Sequence, residues 1–296
     1  MKPNSLQAWY LACRPKTLSG ALVSVFCASA LAMVHLRAAH QSFDWKAALL
    51  CALFASLMQI LSNLVNDLYD FLRGTDDEER LGPERACAQG WITPRAMRFG
   101  IAAVSLFAAS IGLALMQYVE AWMVIPVVAV VLAGAFFYTL FGSYHGMGDL
   151  LVYLFFGYVP TCGTYLVLTG HLDWEVFLLA TAVALVVDTL LVVNNYRDRE
   201  GDARAGKKTL IVRFGGTFGE QFYLWQGVLA WFLVSCLGIH AHHLFITVVY
   251  ALVHSSTARE MRHIRQGRAL NAILGKTSRN MLLFAALTVL SLLVFG

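Results

Sequence analysis

The chain has 296 residues, of which 58% are hydrophobic and 14% charged, and its formal net charge is +4. A soluble chain is roughly 45–50% apolar and about 25% charged, so the two soluble domains that the length would allow are excluded by composition. The small positive charge gives no ground for a nucleic-acid partner, because the basic residues are first of all markers of topology.

A spanning helix needs roughly 20 mostly apolar residues. In chain order the sequence predicts nine such segments: 18–36, 47–65, 101–116, 122–140, 150–168, 176–193, 222–239, 244–256 and 281–294. The first is tested against a cleaved signal. Arg14 and Lys16 precede it and Ala28-Ser29-Ala30 resembles a small-residue cleavage site, but the run continues to Leu36, so a retained helix is expected. The eighth is short and has a re-entrant segment as its alternative. The runs recur from end to end without a Pro/Gly/Ser-rich linker, so residues 1–296 read as one membrane domain.

Charge supports the count. With the N-terminus inside, 20 of the 22 Lys and Arg fall on the cytoplasmic side and only Arg37 and Lys46 outside. That is the positive-inside pattern, and it places the C-terminus outside the inner (cytoplasmic) membrane. Trp45, Trp91, Trp122 and Trp174 lie close to span ends, as an aromatic belt would. The six cysteines form no C-x-x-C pair, which predicts neither a disulfide framework nor a zinc site.

Two stretches break the apolar logic, both at cytoplasmic helix ends. At the end of the second span stand Asn63, Asn66, Asp67 and Asp70, at i, i+3, i+4 and i+7; at the end of the sixth stand Asn195, Asp198 and Asp202, at i, i+3 and i+7. Each set is one stripe of a helix. Carboxylates crowded at a membrane edge are costly and tend to be functional. Hard oxygen ligands with room for water suit Mg²⁺ whose shell substrate phosphates complete. Asp70 and Asp198 stand 128 residues apart, which hints at an internal duplication. Arg73, Arg80 and Arg85 follow the first stripe, and Arg197, Lys207, Lys208 and Arg213 accompany the second. Carboxylates for a metal with Arg and Lys for direct contact is how a diphosphate would be gripped. Asp76, Asp77, Glu78 and Glu79 read as a solvated loop. Asp188 sits mid-span on the face of Asn195, roughly 10 Å deeper; it either acts on an acceptor or pairs with a neighbouring helix.

At these residues the sequence resembles the UbiA superfamily of membrane prenyltransferases. Asn66 and Asp70 match its N-x-x-x-D motif, and Asp198 and Asp202 its D-x-x-x-D. Arg14-Pro-Lys-Thr17, Gly146-Met-Gly-Asp149 and Ala205-Gly-Lys-Lys-Thr-Leu210 are similar to one branch, the 1,4-dihydroxy-2-naphthoate prenyltransferases of menaquinone synthesis. The sequence departs from many members at Gly74, where they carry a further Asp, and it lacks the basic residue that some place after the tyrosine matching Tyr138.

The resemblance implies an all-α fold of nine transmembrane helices around a central cavity. It implies Mg²⁺ held by Asn66, Asp70, Asp198 and Asp202, with Asp67 assisting. Substrate contacts would come from Arg14, Arg73, Arg80, Arg85, Tyr138, Asn195, Lys207 and Lys208. The implied partners are a polyprenyl diphosphate, 1,4-dihydroxy-2-naphthoate and membrane lipid, with loss of the ring carboxylate as the new bond forms. Two rivals remain: a sister enzyme using 4-hydroxybenzoate or homogentisate, and a cation or metabolite transporter. A transporter site is expected near the bilayer midplane, whereas these carboxylates cluster at one face.

Overall fold

Long runs of Leu, Val, Ala and Phe leave a backbone in lipid no partner but itself, and helices follow. The computed structural model describes residues 1–74, 81–82, 84–137, 146–237 and 241–295, with the backbone alone at 241–245. The described residues are helical, with no strand among them. In chain order the helices are α1 (Leu6–Cys13), α2 (Leu18–Ala38), α3 (Trp45–Arg73), α4 (Pro94–Ala114), α5 (Ala121–Phe137) and α6 (Gly148–Thr169), then α7 (Trp174–Arg204), α8 (Leu210–Phe214), α9 (Gly216–Ser235), α10 (Ala241–Ile264) and α11 (Leu270–Phe295).

Seven of the predicted segments, where described, fall within one of these helices; 101–116 runs past α4 into a 3-10 turn at Leu115–Gln117, and 222–239 runs past the end of α9 at Ser235. Among the described residues, six helical stretches are long and apolar enough to cross a membrane, and α5 is a shorter apolar helix. The eighth segment lies in a continuous helix of 24 residues, not in a re-entrant pair. Large apolar side chains point outward along the bundle, including Phe99, Leu106, Leu150, Leu252 and Leu290. An apolar surface this extensive has lipid as its solvent, and the chain is a multi-pass membrane protein.

Local chemistry sets the helix ends. Thr93 caps α4 through its side chain, and Pro94 takes the first position, where a missing N–H costs nothing. Asp44 caps α3 in the same way at Ala47 N. Gly74 stops α3 in the left-handed region at φ 67°, its N–H returning to Phe71 O. Pro160 in α6 cannot bond the carbonyl of Phe156; Ser24 of α2 donates to that oxygen instead. Just before it, Tyr153–Tyr158 form wide π turns.

The largest core joins α2, α6, α7, α9, α10 and α11. A second joins α1, α3, α4 and the loop at Ala86–Ile92. Gly157 lets α6 meet α7 closely, since a Cβ there would lie 2.3 Å from that of Ala184. Trp45, Trp122 and Trp174 stand exposed at helix starts, as a belt requires. Trp91 does not: it is half-buried against the second core because its loop folds back over α3.

Candidate active site

Both acidic stripes ride on helices that outrun their apolar segments. α3 continues to Arg73 and α7 to Arg204, so the stripe geometry read from spacing exists in the structure. The residues on each stripe are put to different uses.

On α3, Asn63 is a bridge. Its amide donates to Cys13 O at 3.0 Å and Thr17 Oγ1 at 2.9 Å, fixing the α1–α2 junction beside the stripe. Arg14 ends α1 there in the left-handed conformation. Asp67 is buried, and its two oxygens accept from Ala86 N and Cys87 N, both at 2.8 Å. It therefore anchors the following loop, next to Arg85. The buried Arg85 guanidinium donates to Asp70 Oδ2 at 2.6 Å. Asn66 stands half-buried on the same stripe, and Arg73 is exposed at the helix end.

On α7, Arg197 is almost wholly buried and grips Asp198 with two parallel bonds, Nε to Oδ1 at 2.8 Å and Nη2 to Oδ2 at 2.6 Å. The Asp198 side chain is 32% exposed, so its outer edge stays open to a ligand. Asp202 pairs with Lys207 Nζ at 3.0 Å. Lys208 is exposed. Its backbone oxygen lies so near Gly146 that a Cβ there would stand 2.3 Å away, and Gly146 has φ 76°. Only glycine fits, and the close approach builds a small polar pocket in which Asp149, Asn195, Asp202, Lys207 and Thr209 meet.

One loop ties the two ends together. Arg85 holds Asp70, while Leu81 O on the same loop accepts from Asn271 Nδ2 at 2.9 Å, and Asn271 Oδ1 accepts from Arg197 Nη1 at 2.8 Å. Asp70 and Asp198 are thus joined through Arg85, the loop, Asn271 and Arg197. Sequence reasoning missed Asn271, which carries no spacing signal. It also missed Gln226, which an amide inside an apolar run could have flagged. Arg80, Tyr138 and the run Asp76–Glu79 lie outside the described residues.

Among the described residues no three His, Cys, Asp or Glu converge as a metal cage. Each carboxylate of the two D motifs instead faces a cation. The donor chemistry still fits Mg²⁺, which takes one or two protein carboxylates and leaves the rest of its shell to phosphates and water.

Next to the α3 stripe lies an apolar cavity of about 170 Å³ between α2, α3, α5 and α6. Its walls include Val25, Phe54, Met58, Val128, Phe155 and Phe156, with Gln59 and Ser62 among the few polar lining residues. Gln59 is one turn from Asn63 and donates to it at 3.3 Å, so the cavity runs up to the acidic end.

The opposite end of the bundle is different in kind. There His35, Tyr165, His171 and Asp173 cluster, with Tyr165 OH donating to Asp173 Oδ2 at 2.5 Å. Because α3 and α7 both run from that end to the acidic one, the two motifs share one face.

Known proteins place this geometry. Residues 21–273 match the UbiA prenyltransferase family. A 1,4-dihydroxy-2-naphthoate octaprenyltransferase of Mycobacterium tuberculosis is 35% identical over 99% of this chain and 98% of its own. The protein of that name from Escherichia coli is 30% identical over 97% and 95%. Among solved structures, a UbiA homolog from Archaeoglobus fulgidus bound to GPP and Mg²⁺ shares the fold with a TM-score of 0.69 at 14% identity, covering 97% of this chain and 99% of that one. The chain belongs to the UbiA prenyltransferase family.

Proposed function

We propose that the protein transfers a polyprenyl group from an all-trans polyprenyl diphosphate to 1,4-dihydroxy-2-naphthoate, with loss of the ring carboxylate, in menaquinone biosynthesis. The observation that carries this is the pair of acidic helix ends on one face, joined by one loop and abutting an apolar cavity. Relatives named for that reaction at 30–35% identity over most of the chain support the choice of acceptor.

In this reading Asn66, Asp70, Asp198 and Asp202 hold Mg²⁺ together with the diphosphate. The bound ion neutralises charge that gathers on the departing phosphate oxygens. Arg85, Arg197 and Lys207 now neutralise Asp70, Asp198 and Asp202. With a diphosphate bound, these cations would pair with phosphate oxygens, leaving the carboxylates free to hold Mg²⁺. Arg73, Lys208, Arg80 and Arg14 add positive charge around the same end, and Asn195 and Tyr138 complete the substrate contacts. The prenyl tail lies in the apolar cavity, which excludes water from the allylic cation. A single nine-span domain in the inner membrane, with the N-terminus and acidic face cytoplasmic and the C-terminus outside, is the arrangement that the basic residues favour.

The test is an assay of purified protein in detergent with Mg²⁺, a polyprenyl diphosphate and the naphthoate, read by mass spectrometry. Prenylated, decarboxylated naphthoquinol is expected. Product with 4-hydroxybenzoate or homogentisate alone would overturn the acceptor, and no product with any of the three would overturn the reaction.

A further inference from the structure

The site described so far accounts for a diphosphate and a tail but leaves the ring without a partner. A buried polar cluster beside it is unused. Asp188, fully buried in α7, is hydrogen-bonded to Asp149 of α6, which lines the polar pocket with Asn195 and Lys207. Gln226 of α9 donates to Asp188 Oδ2 at 2.6 Å and to Tyr153 OH at 2.9 Å. We infer that Asp149 recognises the aromatic acceptor through a ring hydroxyl, with Asp188, Gln226 and Tyr153 as positioning residues behind it. The inference rests on the prenyl-transfer reading.

Three observations carry it. First, the cluster is rich in acceptors and poor in donors: Asp188 Oδ1 and Gln226 Oε1 are both buried and accept from no donor among the described residues. Buried acceptors without a donor suit a guest that brings an O–H. A diphosphate brings only acceptors and is repelled.

Second, the cluster reaches inward from the acidic end: Asp188 lies seven residues before Asn195, roughly 10 Å farther into the bundle. Third, the cluster adjoins the tail. The wide turn of α6 that gives Tyr153 to the cluster gives Phe155 and Phe156 to the cavity wall. Helix locking alone explains a buried carboxyl pair, but not why one member opens onto the polar pocket.

The experiment measures KM for acceptor, diphosphate and Mg²⁺ separately, in wild type, Asp149→Asn and Asp188→Asn, and repeats the acceptor series with an analogue whose hydroxyl is O-methylated. The acceptor used is whichever hydroxyaromatic the wild type turns over. An error in acceptor identity therefore shows in the wild type, and an error in this inference only in the variants. Asp149→Asn should raise acceptor KM about tenfold or more, the scale of a lost hydrogen bond to a charged group, leave the diphosphate and Mg²⁺ values within about twofold, and lose the wild-type discrimination against the O-methyl analogue. Asp188→Asn should raise acceptor KM less. Acceptor KM unchanged in folded Asp149→Asn would overturn the assignment, as would an equal rise for diphosphate or Mg²⁺. If Asp149→Asn fails to fold, Asp149→Glu decides: altered reach should weaken discrimination with thermal stability kept, and unchanged discrimination overturns the assignment.

Discussion

Helices α3 and α7 both follow an Asp, both start at a Trp, and these Asp-Trp pairs stand 129 residues apart. Both carry an amide-and-carboxylate stripe past the end of an apolar run, yet the stripes are wired differently. On α3 the stripe reaches outward: Asn63 ties down the α1–α2 junction, Asp67 anchors the next loop, and Asp70 takes its cation from that loop. On α7 the stripe is self-contained, with Asp198 held by the preceding Arg197 and Asp202 by Lys207 just beyond the helix. Their flanks differ too. α3 borders the apolar cavity, and α7 borders the polar pocket lined by Asp149. In the proposed reading the two similar helices divide the labour, one beside the tail and one beside polar groups, and share the diphosphate between them.

That division can be broken in steps. The largest effect is expected from Asp70→Ala and Asp198→Ala, each lowering turnover at least about a hundredfold, the scale for removing one preorganised electrostatic contact; because buried Arg85 or Arg197 loses this carboxylate, the thermal midpoint should fall as well, so turnover is read well below it. If only one of them matters, the two ends do not share a ligand. Asp67→Ala leaves the N–H groups of Ala86 and Cys87 buried without their acceptor. It should cost about 1–3 kcal/mol in stability and lower turnover about tenfold, because Arg85 loses its place. Chemical unfolding in detergent with a parallel activity assay reads both.

Smaller again is Asn271→Ala, which cuts the link between the loop and Arg197. About 1 kcal/mol and a few-fold loss of turnover are expected, and no change would show that the two ends are independent.

The smallest effect lies at the far end. The Tyr165 hydroxyl above all, against the effect of burial and with help from His171 and His35, holds the Asp173 carboxyl below the usual carboxylate range. A depressed value means that the stabilisation is complete above the ordinary value of about 3.9 and is lost as pH falls through the lower, folded one. Thermal midpoints from pH 7 to pH 3 should fall more for wild type than for Asp173→Asn, and parallel curves would contradict the reading. Turnover at pH 7 should be the same in both.

The sequence made the helices and the two stripes legible because both rest on simple periodicities: run length for spans, and i, i+3, i+4, i+7 for stripes. The positions of Asp70, Asp198 and Asp202 among cations could be read from composition near the motifs. What could not be read was who holds whom. Asp67 looks like a further metal oxygen on the stripe, yet two backbone N–H groups from a loop 19 and 20 residues away occupy it. Asn271 stands 74 residues from Arg197 and has no pattern to announce it. Long-range hydrogen bonds of this kind depend on how helices dock, and residue spacing carries no information about docking. Asp188 was visible as an oddity, but its partners Gln226, Asp149 and Tyr153 come from two other helices.

The central claim is that both acidic ends bind one diphosphate through a divalent ion. Equilibrium binding of an unreactive prenyl thiodiphosphate to wild type, Asp70→Ala and Asp198→Ala, with Mg²⁺ and again after EDTA, tests it most directly. The account predicts tight binding for wild type with Mg²⁺, and loss of about a hundredfold in affinity in each variant and in wild type after EDTA. Wild-type affinity in either variant, or binding indifferent to EDTA, would contradict it.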